Sequence, residues 1–283
     1  MRLARSVTSD GLAAFSGRWP GRFAAMPTRA LTALPTRRVG PVPFRVARFD
    51  DCIAALLSDV RQSGGLAVHF ANAYTIALAD TDSAYAELLA RTDSAVLTDG
   101  VPVTWFGRRQ NRDLRDDWQR VYGPDVMTAV LDHSGAEGPR HYLLGGSPAT
   151  LTALESEIGR RWPQAVLVGA ESPPFRPLTR AEQAAQDDRI RQSGADMVWV
   201  GLGTPKQDWE VGRLADALPI TALAVGAAFD FLAHVKPQAP LWIQRSGTEW
   251  AYRWASEPRR LTRRYLWGNP RFVYAAVRDR PRR

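Results

Sequence analysis

One cysteine, Cys52, is all the chain has, so no disulfide can form within it and a reducing compartment is expected. Cys52 itself reads as a small core residue on an apolar helix face. Long apolar runs are missing as well. No stretch approaches the roughly 18 to 20 residues that a membrane-spanning helix needs, and the most apolar region, residues 221–233, is interrupted by Gly226 and Asp230. The four histidines, His69, His133, His141 and His234, lack ligand spacing and have no cysteine cluster to join, so neither a metal nor a cofactor is expected. Acid is scarce at the amino end. Residues 1–42 hold Asp10 as their one acidic residue, among many Arg, Ala, Pro and Thr and without a sustained apolar period, which predicts disorder. That composition suits an organelle transit peptide, and it equally suits a start placed upstream of true initiation near Met26.

What is present is length and positive charge. At 283 residues the chain can bury a sizeable core in one principal domain. Its net charge of +8 and pI near 10.2 favour anionic partners, whether nucleotides, phospholipid surfaces or nucleic acid. From Pro43 onward strand and helix patterns alternate. Strands are expected near residues 44–46, 66–70, 95–97, 141–144, 165–168, 197–200 and 221–225, with helices over 51–62, 74–91, 124–133, 148–162, 179–192 and 205–218 between them. This rhythm predicts an α/β fold, a Rossmann-like and mainly parallel sheet flanked by helices. The expected division is a disordered extension over 1–42, a core over 43–244 and a basic helical appendage over 245–283.

The most informative stretch is Val198-Trp199-Val200-Gly201-Leu202-Gly203-Thr204-Pro205-Lys206-Gln207-Asp208, a buried strand turning into a helix through a segment with few side chains. Gly201 and Gly203 let a ligand press against the backbone where open α/β sheets bind ligands, although a tight turn without a ligand would use the same residues. A dinucleotide fingerprint fails because Lys206 stands where its third glycine belongs, and a P-loop fails because Gln207 follows that lysine. Other strands also end in small or polar residues: Asn72, Asp99-Gly100, Gly145-Gly146-Ser147 and Gly226-Ala227-Ala228. Their carboxyl ends should form one rim.

Asp99 closes an apolar strand and could act as a general base there, or serve as an Asp-Gly turn residue bonding its own backbone. Asp125 opens a helix, as a cap or as an acceptor of ligand hydrogen bonds. Asp80-Thr81-Asp82 has the form of a metal-binding Asp-x-Asp, but its place between two helical patterns favours capping by Thr81 or Asp82. From Arg245 to Arg283 there are eleven arginines and no lysine against Glu249, Glu257 and Asp279, with seven aromatics interleaved. Pro258 and Gly268-Asn269-Pro270 should divide this segment into two or three short helices, which form either an interfacial, membrane-facing lid or helices packed on the core with their arginines as a solvated face.

Asn72-Ala73, Asp99-Gly100, Arg120-Val121-Tyr122-Gly123-Pro124-Asp125, Leu144-Gly145-Gly146, the 201–208 turn, Gly226-Ala227-Ala228-Phe229-Asp230-Phe231 and Glu249-Trp250-Ala251-Tyr252-Arg253, in that order, resemble the WecG/TagA/CpsF glycosyltransferases. The resemblance implies a metal-independent, inverting enzyme of bacterial surface-polysaccharide synthesis. Such an enzyme moves a hexose, N-acetylmannosamine in the best-known case, from a UDP-sugar to an undecaprenyl-diphosphate-linked acceptor. It implies Asp99 as base and a nucleotide pocket at Asp125, Gly201, Gly203 and Gln207. Asn72, Gly100, Arg120, Gly145 and Asp208 join the substrate-binding residues through the motifs they occupy. It places the appendage arginines Arg253, Arg260 and Arg263 over the site at an anionic membrane, with the protein cytoplasmic and peripheral to the inner face of the plasma membrane, and it leaves a homo-oligomer open. Three positions depart from the family pattern: Phe70 replaces a frequent threonine, Asp208 a glutamate and Ala227 a glycine. Loss of the threonine hydroxyl leaves the donor sugar open. The competing readings are a nucleic-acid-binding module, gripping phosphates with the basic tail, and a Rossmann-type nucleotide-cofactor enzyme.

Overall fold

The computed structural model describes residues 29–60, 62, 64–135 and 138–278, without the side chains of Leu241, Arg245 and Arg260. The disorder expected over residues 1–28 falls outside the described residues. From Ala30 onward the expectation of disorder is overturned. Ala30–Ala33 form one helical turn (α1), whose first N–H groups are received by the buried Asp59 carboxylate at 2.6 Å from Ala30 and 2.8 Å from Leu31. Thr36–Val39 (β1) and Val42–Arg45 (β2) then pair antiparallel across a turn in which Gly40 has φ +59°. The second of these strands was expected in the parallel sheet. It forms a separate ribbon because only Val39, Val42 and Phe44 are buried, too few for a legible period, while Arg37, Arg38 and Arg45 stay at the surface.

The main sheet has six strands, all parallel, in the order β4-β3-β8-β7-β5-β6: β3 is Leu66–Ala71, β4 Ser94–Thr98, β5 Arg140–Gly145, β6 Val166–Glu171, β7 Met197–Gly201 and β8 Thr221–Ala224. The central strands bury nearly every side chain, as strands covered on both faces must. The cover comes from α2 (Phe49–Val60), α3 (Ala73–Ala79), α4 (Ser83–Leu89), α5 (Val101–Gln110), α6 (Gly123–Asp132), α7 (Pro148–Arg161), α8 (Arg180–Ser193), α9 (Lys206–Ala217) and α10 (Ala228–Leu232). Two short helices and a long one close the chain's described part: α11 (Leu241–Ser246), α12 (Glu249–Ser256) and α13 (Pro258–Arg278).

The single helical pattern expected over 74–91 is two helices. Asn72 caps α3 and Asp82 caps α4 by accepting the Tyr85 N–H at 3.1 Å, while Asp80 between them is fully buried. Arg271 and Arg278 of α13 both pair with Asp80, the latter at 2.7 Å. Both carboxylates of the Asp-x-Asp are therefore used in the scaffold. Helix α5 had no sequence forecast, since its mixed Trp, Arg and Gly content hides its apolar stripe. Gly107 within it lies so close to the Trp118 ring that a Cβ would sit 2.0 Å from it.

The carboxyl-terminal segment differs from its expectation in two ways. Helix α13 continues through Pro270 with no break at Gly268-Asn269-Pro270, its packing outweighing the one backbone hydrogen bond that proline removes. Its last two turns are also core: Phe272, Ala275 and Ala276 are buried with Val39, Phe44 and Ile76, and Phe272 meets Phe106 edge-on at 5.2 Å. A boundary at residue 245 thus cuts through a packed interior. Phe272→Ala should lower global unfolding stability by about 3 to 5 kcal/mol in urea titrations, the range for truncating a buried phenylalanine. A free appendage would show no such loss.

Candidate active site

Strand order locates the site. Strand β5 leads through α7 outward to β6, whereas its neighbour β7 leads through α9 the other way to β8, so a crevice opens between β5 and β7 at their carboxyl ends. Its floor has no side chains. Gly145 is paired with Gly201, and the Gly146 N–H donates to the Gly201 carbonyl at 3.2 Å. A Cβ on Gly145 would lie 2.7 Å from the Gly201 backbone, and one on Gly201 would lie 2.7 Å from the Phe229 ring. Gly203, at φ +78°, faces open space. Helices α7 and α9 both start at this crevice, so their positive dipole ends face it.

Gln207 and Asp208, expected to touch a ligand, are buried and used internally. The Gln207 side chain accepts the Gly203 N–H at 2.9 Å and donates to the Ala224 carbonyl at 2.7 Å, tying the β7–α9 turn to the end of β8. Asp208 accepts the Tyr85 hydroxyl at 2.9 Å and contacts His69 Nδ1 at 3.0 Å, tying α9 to α4 and β3. Two adjacent polar residues at a helix start read from sequence as ligand contacts. The structure spends them on holding the turn, because buried polar groups require partners.

A second constellation lies at the ends of β3 and β4, beyond β8 from the glycine floor. Asp99 receives the Gly123 N–H at 3.3 Å on one oxygen and the Asn72 amide at 3.5 Å on the other. Gly100 caps α5, and a Cβ there would sit 3.3 Å from Asn72. Arg120 donates through Nε to the Asp99 carbonyl at 2.7 Å and through Nη2 to Glu249 at 2.6 Å, with its guanidinium 3.8 Å over the Tyr122 ring. The Tyr122 hydroxyl donates to the other Glu249 oxygen at 3.1 Å. Glu249 and Tyr122 lay inside motifs quoted for the resemblance, yet nothing in their spacing marked them as partners of Arg120. Only the packing of α12 against the core brings Glu249 there.

Burial pushes the Asp99 carboxyl above its ordinary range, the Arg120 charge opposes this, and Glu249 adds to it. Burial likewise raises Asp125, with Arg120 opposing and Glu249 adding, although the Asp125 side chain is open to solvent. Asp125 borders a cavity of about 460 Å3 between α6 and α10, lined also by Thr128, Arg161, Phe231 and Gln238. Of the appendage arginines, Arg253 stacks 5.6 Å from the Phe231 ring and Arg263 is exposed on α13, while the Arg260 side chain lies outside the described residues. Phe70 is buried in the core and meets Gly123, where a Cβ would be 3.7 Å from its ring. Among the described residues no group of three or more His, Cys, Asp and Glu could hold a metal ion.

A doubly wound parallel sheet with a bare glycine crevice and a high-pKa carboxylate on the same rim defines a Rossmann-like α/β enzyme. The chain belongs to the glycosyl transferase WecG/TagA/CpsF family, whose pattern matches residues 37–283. It is therefore a glycosyltransferase of cell-surface polysaccharide synthesis. The match begins within β1, in agreement with the ordered start found in the fold.

Because the raised pKa keeps Asp99 protonated to higher pH, its ionised form is reached only above that value and is lost as pH falls through it. Carboxyl carbon NMR should show Asp99 titrating above an ordinary aspartate. Arg120→Gln should move that midpoint higher still, since it removes the positive charge that opposes the shift.

Proposed function

We propose that the protein transfers a hexose, with inversion, from a UDP-sugar to an undecaprenyl-diphosphate-linked acceptor, with Asp99 as the general base. The carboxylate takes the proton of the acceptor hydroxyl as its oxygen bonds to the anomeric carbon, and the bond from that carbon to the diphosphate breaks, releasing UDP. The observation that carries this reading is the Asp99 environment: a strand-end carboxylate fixed by Gly123 and Asn72, its pKa raised above the ordinary range by burial. Asp99→Asn should lower turnover by roughly 10² to 10⁴ while UDP-sugar binding persists, measured as UDP release and by calorimetry. Near-normal turnover would return Asp99 to a turn residue.

The nucleotide belongs, on this proposal, at the Gly145–Gly201 crevice, where backbone N–H groups and the α7 and α9 termini favour a diphosphate. Gly203→Val should abolish UDP binding in calorimetry, since a branched side chain would fill the open space at that turn. The left-handed conformation adds a strain of about 1 to 2 kcal/mol. Binding of NAD in preference to UDP would overturn this assignment.

An anionic membrane surface remains the proposed setting. Among the described residues no helix is long and apolar enough to cross a bilayer. Trp242, Trp250, Trp254, Leu266 and Trp267 are nonetheless exposed, Trp242 by 71 % and Leu266 by 66 %, in the same segment as Arg259 and Arg263. Aromatics beside arginines suit a headgroup layer. Arg271 and Arg278 are already paired with Asp80, so the basic character available to a partner is smaller than the arginine count suggests.

A further inference from the structure

The Arg120 side chain is mostly buried and does not reach toward open solvent. Its three nitrogens go to the Asp99 carbonyl, to Glu249 and, at a long 3.5 Å, to the Gln244 amide oxygen. Glu249 is only 14 % exposed and uses both carboxylate oxygens, one on Arg120 and one on the Tyr122 hydroxyl. Gln244 is itself held by donating to the Ala239 carbonyl at 2.7 Å. Two residues from the helices after the sheet, Gln244 on α11 and Glu249 on α12, thus meet a cation whose other end fixes the backbone of the proposed base. A surface ion pair would contribute little. This one is partly desolvated, shares its carboxylate with the Tyr122 hydroxyl, and is continuous with the Asp99 main chain.

We propose that Glu249 is a positioning residue for the transfer reaction: docked by α12, its carboxylate clamps Arg120 and Tyr122, so that Arg120 holds Asp99 in the geometry the acceptor hydroxyl needs. Docking of α12 and readiness of the base become one event. The titratable groups facing this point are Asp99 just after β4, Arg120 and Tyr122 from the segment before α6, Asp125 from α6, and Glu249 and Arg253 from α12. The inference rests on Asp99 being the base. It adds that a residue outside the sheet, touching no substrate, sets how well the base works.

The test compares full-length wild type with Glu249→Gln, Glu249→Ala, Arg120→Ala and the Glu249→Ala, Arg120→Ala double variant, with Asp99→Asn alongside. Each is checked for folding by circular dichroism, then assayed for UDP release from UDP-N-acetylmannosamine and other UDP-hexoses with a polyprenyl-diphosphate-sugar acceptor. Glu249→Ala should lower kcat roughly 5- to 100-fold with the UDP-sugar KM within about twofold, the scale of a displaced catalytic group. In the Arg120→Ala background the same change should cost little more, because Glu249 acts through Arg120. Glu249→Gln keeps an acceptor for Arg120 but removes the negative charge that raises the Asp99 pKa, so the acid limb of kcat should move to lower pH. Slowed solvent exchange of the Arg120 Nε proton, lost in Glu249→Ala, would report the clamp without any turnover. Folded Glu249 variants with unchanged kcat and pH limb, or losses that add fully in the double variant, would overturn the inference. A fully active Asp99→Asn would instead overturn the assignment of the base, while the Arg120 proton would still report whether the clamp exists.

Discussion

The contact on which the molecule turns is the one between Gly145 and Gly201, two backbones meeting with nothing between them. An open parallel sheet with right-handed crossovers carries helices on both faces only if its winding reverses somewhere, and here the reversal falls between β5 and β7. The helices that leave those strands diverge, so their first turns bracket an opening that no side chain fills. One methyl group on Gly145 would overlap the opposite strand. Everything on the rim is placed relative to that opening: the Gln207 staple keeps its turn in shape, and Phe229 supports it from beneath.

Around this opening the protein divides its polar residues into those that build and those left over for chemistry. Gln207, Asp208 and Asp80 each join elements distant in sequence, and Asp82 caps its own helix α4. Asp99 differs, since its hydrogen bonds come from a long amide contact and one backbone N–H, and burial makes its charge costly. A carboxylate held in place yet poorly neutralised is suited to accept a proton. Arg120 nearby moderates that cost without cancelling it, because Glu249 competes for the same cation.

Much of this was legible in the sequence where a pattern was long enough to carry a period. The six strands of the sheet read from their alternation with helical patterns, the half-buried edge strand β6 included, and the small residues at several of their ends marked the rim. The family motifs located Asp99, Asn72 and the 201–208 turn. The ribbon β1–β2 was legible only in part: β2 was expected as a strand near 44–46 but in the parallel sheet, whereas β1 buries only Val39 of its four residues and so shows no period. Nor was the fate of Gln207 and Asp208, since a helix start facing a ligand and one facing the core use the same residue types. Glu249 lies 129 positions from Arg120, and no local rule connects an acidic residue in a basic tail with a cation before α6. The boundary at residue 245 was set too sharply because Phe272, Ala275 and Ala276 look unremarkable among arginines, although their spacing puts them on one helical face.

Pro270 has a further consequence. Helix α13 runs 21 residues, so it is a rod of about 30 Å whose inner end is fixed in the core and whose outer end carries Arg263, Leu266 and Trp267. Close to Pro270, α13 packs on α3: a Cβ on Gly268 would lie 3.0 Å from Tyr74, while Trp267 meets the Tyr74 ring edge-on at 6.2 Å and Arg264 lies 4.3 Å over it. Tyr74 stands in the first turn of α3, and its N–H is held by the same Asn72 side chain that reaches Asp99. The rod therefore rests on the same turn of α3 whose cap, Asn72, reaches Asp99, so contacts run without a gap from the exposed aromatics of α13 to the rim.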